Sequence, residues 1–413
     1  MAQQRLIGSH ANSDSSMVVA PSSIKSSKLH RAAGPAELEW VRSKMSSHTA
    51  SDLRHVNADD HLYRTSERVI LLSPSRGLGG GIERYIETLE WALARQKITS
   101  RRIDLDRVGL RAHLKMLAEG RALLRASAER TRLVVGHRAL MPVATLLSRE
   151  PMVRGISILC YGTDVWSERH RPRTALERAL MRRPRVRAVA ISSFTAGTLS
   201  AECQSTILRP ALSQKWFETL VAASNVAQQP TQGVQLATAF RLTDWRDKGL
   251  PQLIEAVTAL RRRDIQLTIC GSGEPPPELL RVVADHEWCS LLVGLTDSEL
   301  AIQLASADIF VLATRTRIGH HAKGEGFGLV LLEAQVAGTP VIAPAHGGSS
   351  DAYVDGVTGL GPVDESAEAL AKAISEMLED PARLESMRKC AVQWARESFA
   401  PESYPRLVAS KLL

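Results

Sequence analysis

At 413 residues, with 44% hydrophobic and 23% charged side chains, the chain is too long for one ordinary core and too apolar for wholesale disorder; two domains are expected. No run of 18 or more apolar residues occurs, which argues against a spanning helix. Five cysteines (Cys160, Cys203, Cys270, Cys289, Cys390) without C-x-x-C spacing argue for reduced thiols rather than disulfides or a zinc site. Met17–Ala20 is too short for the apolar core of a signal peptide, so a cytoplasmic location is the expectation. The net charge of +8 is carried mostly by arginine and is densest between Arg169 and Arg187. That run reads as a solvated face or a contact with anionic membrane. With aromatics at 4% and only Trp166 nearby, it lacks the stacking platform of a nucleic-acid site.

Residues 1–64 lack a hydrophobic period and read as a disordered or weakly ordered extension, with a short helix near 35–45; Met17 and Met45 leave the natural start open. Order is predicted from Arg68–Ser73, a buried strand, followed by the glycine loop Gly77–Gly81 and an amphipathic helix from Ile82 to Arg95. Further strands are expected at Thr99–Leu105, Arg132–Val135, Ile156–Leu159 and Val186–Ile191, the last turning through Ser192–Thr195 into a helix. These elements make a first domain over 65–227. From Leu212 to Gly233 the pattern loosens, and Gln228–Gly233 reads as the linker.

A second domain, 228–395, repeats the rhythm. Val234–Ala239 is a strand, Leu250–Arg262 a helix and Ile265–Cys270 a strand closed by Gly271. Leu291–Leu295, Asp308–Ala313 and Pro340–Pro344 add three strands. Ser366–Leu413 is helical with a break near Pro401, and residues 396–413 form a helix expected to return toward the first domain. Strands alternating with helices imply two doubly wound parallel sheets, each binding ligands at its carboxyl edge and facing the other across a cleft.

The densest chemistry lies at Gly324–Ala334. A buried strand precedes it, and a short helix from Leu329 follows, closed by Gly338 and Pro340. Strand, glycine loop and helix N-terminus together present free N–H groups and a positive dipole end to an anion. Glycines 324, 326 and 328 allow close backbone approach. Glu325 and Glu333 are eight positions apart, at most about 12 Å along a helix, too far to share a proton or a metal. They could grip two ends of an elongated ligand with an anionic middle, as in a nucleotide sugar; an ordinary crossover with solvated glutamates is the alternative. Arg241 and Lys248 follow the first strand of the second half, a forked and a compact cation aimed at phosphate.

The run Glu325-Gly-Phe-Gly…Glu333-Ala, with Gly338-Thr-Pro-Val-Ile-Ala, Gly347-Gly348 and Asp355-Gly-Val-Thr-Gly359, resembles the E-x7-E signature of glycosyltransferase family 4, retaining enzymes of the GT-B fold. Gly80-Gly81-Ile82-Glu83-Arg84 is similar to that family's G-G-x-E-R opening. A dinucleotide fingerprint built on Gly77–Gly81 and Asp104, and hence an NAD(P) enzyme, is the rival, and a non-catalytic basic scaffold is a third reading.

The resemblance implies transfer of a hexosyl group from a nucleotide-diphosphate sugar to a hydroxyl acceptor, in polysaccharide, glycolipid or natural-product synthesis, with a lipid-linked acceptor in view. It implies no cofactor and no metal. Glu325, His137, Arg241 and Lys248 are its catalytic candidates. Gly79, Gly80, Gly81, Gly271, Gly326, Phe327, Gly328, Leu329 and Glu333 are the donor-binding ones, with Glu333 on the ribose. Tyr161 and Asp164 lie on the acceptor side, Tyr161 standing where the family has histidine, and the Arg241–Lys248 spacing of seven is one longer than the family's. Asp104-Leu105-Asp106 spells the metal motif of the other major glycosyltransferase fold and reads here as coincidence. His320-His321 lacks partners at ligand spacing.

Overall fold

A computed structural model describes residues 67–74, 81–107, 109–162, 166, 172–200, 202–226, 233–317 and 322–413. The N-terminal extension, Gly77–Gly80, Asp164, most of the linker and His320–His321 lie outside these residues.

The first half alternates β1 (Arg68–Ser73), α1 (Gly81–Arg95), β2 (Ser100–Asp104), α2 (Leu110–Arg125), β3 (Thr131–Val135), α3 (Met141–Leu147), β4 (Val153–Cys160), α4 (Pro172–Met181), β5 (Val186–Ala190), α5 (Ser193–Leu199), β6 (Ser205–Ile207) and α6 (Gln214–Val226). Its strands form a parallel sheet in the order β2-β1-β3-β4-β5-β6. Every residue of β1 is buried, as a strand covered by helices on both faces requires.

The second half runs β7 (Val234–Arg241), α7 (Leu250–Leu260), β8 (Ile265–Ser272), α8 (Pro277–Ala284), β9 (Cys289–Val293), α9 (Asp297–Ser306), β10 (Ile309–Val311), α10 (Leu329–Ala337), β11 (Val341–Ile342), β12 (Gly359–Leu360), α11 (Ala367–Glu379), α12 (Pro381–Ser398) and α13 (Tyr404–Leu412). Its parallel sheet has the order β12-β11-β10-β7-β8-β9. A separate hydrophobic cluster lies under each sheet, around Ile70, Leu133 and Ile158 in the first and Leu236, Ile269 and Val311 in the second.

In each sheet the winding direction reverses once, between β1 and β3 and between β7 and β10. At such switch points the loops diverge and leave a crevice at the carboxyl ends of the strands. His137 follows β3 at the first; Arg241, Lys248 and Glu325 follow β7 and β10 at the second.

Three predicted elements need correction. The loosened stretch from Leu212 contains helix α6, whose buried Trp216, Leu220 and Ala223 keep the helical i, i+4, i+7 spacing. The strand expected at Leu291–Leu295 begins two residues earlier and ends at Val293, because Gly294 adopts φ +70° and turns the chain out of the sheet. The C-terminal stretch breaks at Asp380 as well as near Pro401: Asp380 caps α12 through Arg383 N, and Pro381 starts the new helix where no donor is required. The last helix, α13, packs on α1, and Ser157 Oγ of β4 donates to Leu412 O at 2.6 Å.

All five cysteines are free. Burial pushes the Cys270 and Cys289 thiols up to about 12. A thiol held protonated in the folded state favours folding fully below its unfolded value of about 8.5, and that contribution fades as pH rises toward 12. At pH 8 a short iodoacetamide pulse should therefore leave both unmodified until guanidine opens the second domain. Mass spectrometry showing native-state labelling at either site would contradict their burial.

Candidate active site

The second switch point assembles the sequence-predicted cations and carboxylate. Lys248 Nζ lies 2.7 Å from Glu325 Oε2, and Thr314 Oγ1 donates to the same oxygen at 3.4 Å. The segment between Arg241 and Lys248 holds a short 3-10 turn, Leu242–Asp244, and ends at Gly249. Gly249 has φ +73°, and a Cβ there would stand 1.9 Å from Ala313 O. Only glycine lets the loop after β7 lie directly on the end of β10, which is what brings Lys248 to Glu325. Arg241 is exposed and has no ion-pair partner among the described residues, so its fork is open to an anion.

Helix α10 starts at Leu329 behind Gly328, without a side-chain cap. Its first-turn N–H groups and dipole therefore face the same crevice as Arg241 and Lys248. Glu333 lies one turn further in and is 5% exposed. Its Oε1 accepts from Trp216 Nε1 at 3.0 Å and lies 3.4 Å from Arg84 Nη1. Arg84 also pairs with Asp297 at 2.9 Å and stacks on Trp216, 5.0 Å from the ring centre. These side chains and Leu329 line a small cavity of about 100 Å³. Glu333 Oε2 has no hydrogen bond among the described residues and is the polar atom available to a ligand there.

The two carboxylates thus have different surroundings. Glu325 is held by a cation of its own domain, whereas Glu333 is reached by Arg84 from α1 across the cleft. Trp216, Arg84 and Thr314 were missed as site residues. Trp216 sits in the stretch taken as loosening, Arg84 was visible only as part of Gly80–Arg84, and Thr314 lies just beyond the predicted strand.

The remaining candidates divide. The Phe327 ring is 2% exposed and packs edge-on against Phe399, so only its main chain is available to a ligand; it is a core residue contributed by a ligand loop. Gly271 pairs with Phe240 one residue before the end of its strand, with Leu242 filling the space a Cβ would need. His137 caps the turn after β3, its Nδ1 accepting from Ala139 N at 3.1 Å, and the ring is half-buried. Gly81 is exposed at the first position of α1, while Gly79, Gly80 and Asp164 lie outside the described residues.

Tyr161 is buried at the end of β4, its ring edge-on to Tyr85 at 6.0 Å. A Cβ on Gly326 would stand 1.8 Å from Tyr161 O, so the two domains touch here main chain to main chain. Asp104 pairs with Arg102 and Asp106 with Lys115, leaving no shared ligand position, and no metal-binding cluster occurs among the described residues.

A second contact between the domains lies behind the cleft. Asp351, 6% exposed on the 3-10 turn Gly348–Asp351, accepts from Ser193 N and from Arg209 Nε, each at 2.9 Å, and from the Ser193 hydroxyl. The carboxylate caps the start of α5 from the opposite domain.

Residues 235–394 match the family model described as glycosyl transferases group 1. The match runs from β7 into α12 and includes every second-domain residue named above. The chain is 35% identical over 157 residues to a GDP-mannose-dependent α-(1-6)-phosphatidylinositol monomannoside mannosyltransferase of Mycolicibacterium smegmatis, covering 37% of this chain and 41% of that protein. The chain spans 35–55% of the length of the curated relatives it matches. Among solved structures it is similar to Anabaena HepE, crystallised with UDP and glucose (TM-score 0.65, 16% identity, 84% of this chain and 99% of that one). It is also similar to sucrose-phosphate synthase from Thermosynechococcus elongatus (TM-score 0.67, 21% identity, 82% and 96%). At these identities the likeness establishes the GT-B fold.

Proposed function

We propose that this chain is a retaining glycosyltransferase of the family 4 type, moving a hexosyl group from a nucleotide-diphosphate sugar to a hydroxyl acceptor. The observation that carries the reading is the cluster at the second switch point: Arg241 open to an anion, Lys248 paired with Glu325, and the uncapped start of α10 beside them. The diphosphate would lie on Arg241, Lys248 and the first turn of α10. Glu325 would hold the sugar hydroxyls and Glu333 Oε2 the ribose. Lys248, held by Glu325, and the helix dipole are fixed before the reaction, and such preorganised charge is commonly the largest catalytic contribution.

In the step proposed, the acceptor oxygen attacks the anomeric carbon from the face the diphosphate leaves. The carbon–oxygen bond to phosphate breaks with its electron pair on the leaving group, and the acceptor's proton passes to that phosphate oxygen. The fixed cations take the charge that a bound metal carries in other transferases. His137, at the facing switch point, would border the acceptor. The phosphatidylinositol monomannoside substrate of the Mycolicibacterium relative supports a lipid-linked acceptor, and the exposed Arg182, Arg183 and Arg185 support peripheral contact of the 169–187 run with anionic membrane at the cytoplasmic face. Flotation with liposomes should then depend on anionic lipid.

The direct test is thermal shift against UDP-, GDP-, ADP- and dTDP-sugars, with NAD(P)H as control. A ligand at a hundred times its Kd adds about 2.7 kcal/mol, enough to detect. A shift with NAD(P)H alone, or with nothing up to millimolar concentration, would contradict the proposal. With the responding sugar nucleotide, Arg241→Ala should weaken binding about 10–100-fold by calorimetry, the loss of a charged hydrogen-bonding fork.

A further inference from the structure

The amino-terminal edge of the first sheet carries a second cavity, of about 270 Å³, that the proposed transfer does not use. It opens where β4 and β5 begin, at Val153 and Val186. The cleft lies beyond the other end of β4, about 25 Å away along an eight-residue strand. Three arginines line the cavity, Arg149, Arg183 and Arg185, and none has an ion-pair partner among the described residues. No carboxylate lines it. The nearest acid in sequence, Glu150, is engaged by Arg121 at 3.8 Å and Arg125 at 3.7 Å. Arg132 lies behind the wall, its Nη1 against Gly155, but its charge is already met by Glu67 at 3.7 Å, so the cavity's open charge is that of the three arginines.

Unpaired guanidinium groups gathered around a cavity repel one another, and what relieves that repulsion is a multivalent anion. Of the two hydroxyl residues lining the cavity, Thr145 has its Oγ1 buried away from it and Ser148 donates to Thr145 O at 2.8 Å, so the arginines are the groups open to a ligand. Arg185 is held at φ +71° while its own carbonyl accepts from Ile156 N at 2.8 Å. The unusual backbone thereby fixes the rim residue to the sheet.

We propose that this cavity is a phosphate-binding site, separate from the donor cleft. Arg149, Arg183 and Arg185 would contact the phosphate oxygens. Its volume is just under the roughly 300–1,000 Å³ of common ligand pockets, so the occupant is compact: a phosphomonoester or the phosphodiester headgroup of an anionic lipid. Guanidinium forks suit phosphate better than a simple carboxylate or halide because several oxygens can be bridged at once.

Calorimetry on the full chain with glycerol 1-phosphate, and co-sedimentation with phosphatidylglycerol or phosphatidylcholine vesicles, test the site. Saturable binding of the soluble ester identifies a free phosphorylated metabolite as the source. Binding to phosphatidylglycerol vesicles with little binding of the ester identifies the headgroup. In either case the double variant R149A/R183A should bind at least tenfold more weakly. The donor-site variant R241A should bind as the parent does, which separates this proposal from the transferase reading. The proposal is overturned if neither probe binds, if R149A/R183A binds like the parent while folded, or if R241A abolishes the binding.

Discussion

Glu325→Gln should lower turnover with the preferred sugar nucleotide by about 10²–10³-fold while the protein stays folded. The amide keeps the shape and can still accept from Lys248 Nζ, now at 2.7 Å from a carboxylate oxygen, so local structure has little reason to move. What disappears is the negative charge that fixes the ammonium group and that, in the proposed function, grips the sugar hydroxyls. Glu325 and Lys248 are both partly buried, at 19% and 24% exposure, so the unfolding midpoint should shift by no more than a few degrees. Lys248→Met should give a similar loss, and the double variant should lose much less than the sum, as groups acting together do. A Glu325→Gln enzyme within tenfold of the parent would sink the role assigned to this residue.

Asp351→Ala should produce the largest stability loss of any single change considered. The carboxylate is buried and serves Ser193 N, the Ser193 hydroxyl and Arg209 Nε. Removing it takes the acceptor from three donors at once and opens a polar void between the domains. Breaking a buried charged cluster from one side costs about 3–5 kcal/mol, which for a chain of this size lowers the melting temperature by about 3–6 °C. Ser193→Ala is the control: it removes one hydroxyl, leaves the main-chain and arginine contacts, and should cost about 1 kcal/mol. Scanning calorimetry of the two variants decides it. Equal, small losses would mean that the bridge is ornamental.

The fold was legible because its evidence is local. Arg68–Ser73 and Ile265–Cys270 are apolar runs bounded by turn residues, and a strand buried on both faces needs little else. The cluster around Glu325 was legible for a related reason: its members sit in the loops that end β7 and β10, and a parallel sheet brings strand ends together by construction. Glu333 shows where this reasoning stops. Its partners come from α1 and α6, 249 and 117 residues away, and no periodicity encodes which helices cross a cleft. Trp216 was hidden further because its helix has a narrow apolar face and follows a proline-containing stretch. The cavity at the opposite edge was legible only in part: Arg183 and Arg185 belong to the arginine-dense run, but Arg149 comes from a separate turn that only the fold brings beside them. Phe327 shows that a residue can sit in such a loop with its ring in the core, leaving only its main chain toward the crevice, a distinction that spacing does not encode.

The meeting of Gly326 with the carbonyl of Tyr161 has a consequence for how freely the two sequences can drift. A contact between main-chain atoms does not read side chains. Whatever residue stands at position 161 supplies the same oxygen, so this contact does not fix its identity; what holds the tyrosine is the packing of its buried ring on Tyr85. Position 326 has no such latitude, since any side chain would occupy the place of that oxygen. The joint therefore divides its constraints unequally: on one side it asks nothing of the side chain, and the other is pinned to a single amino acid.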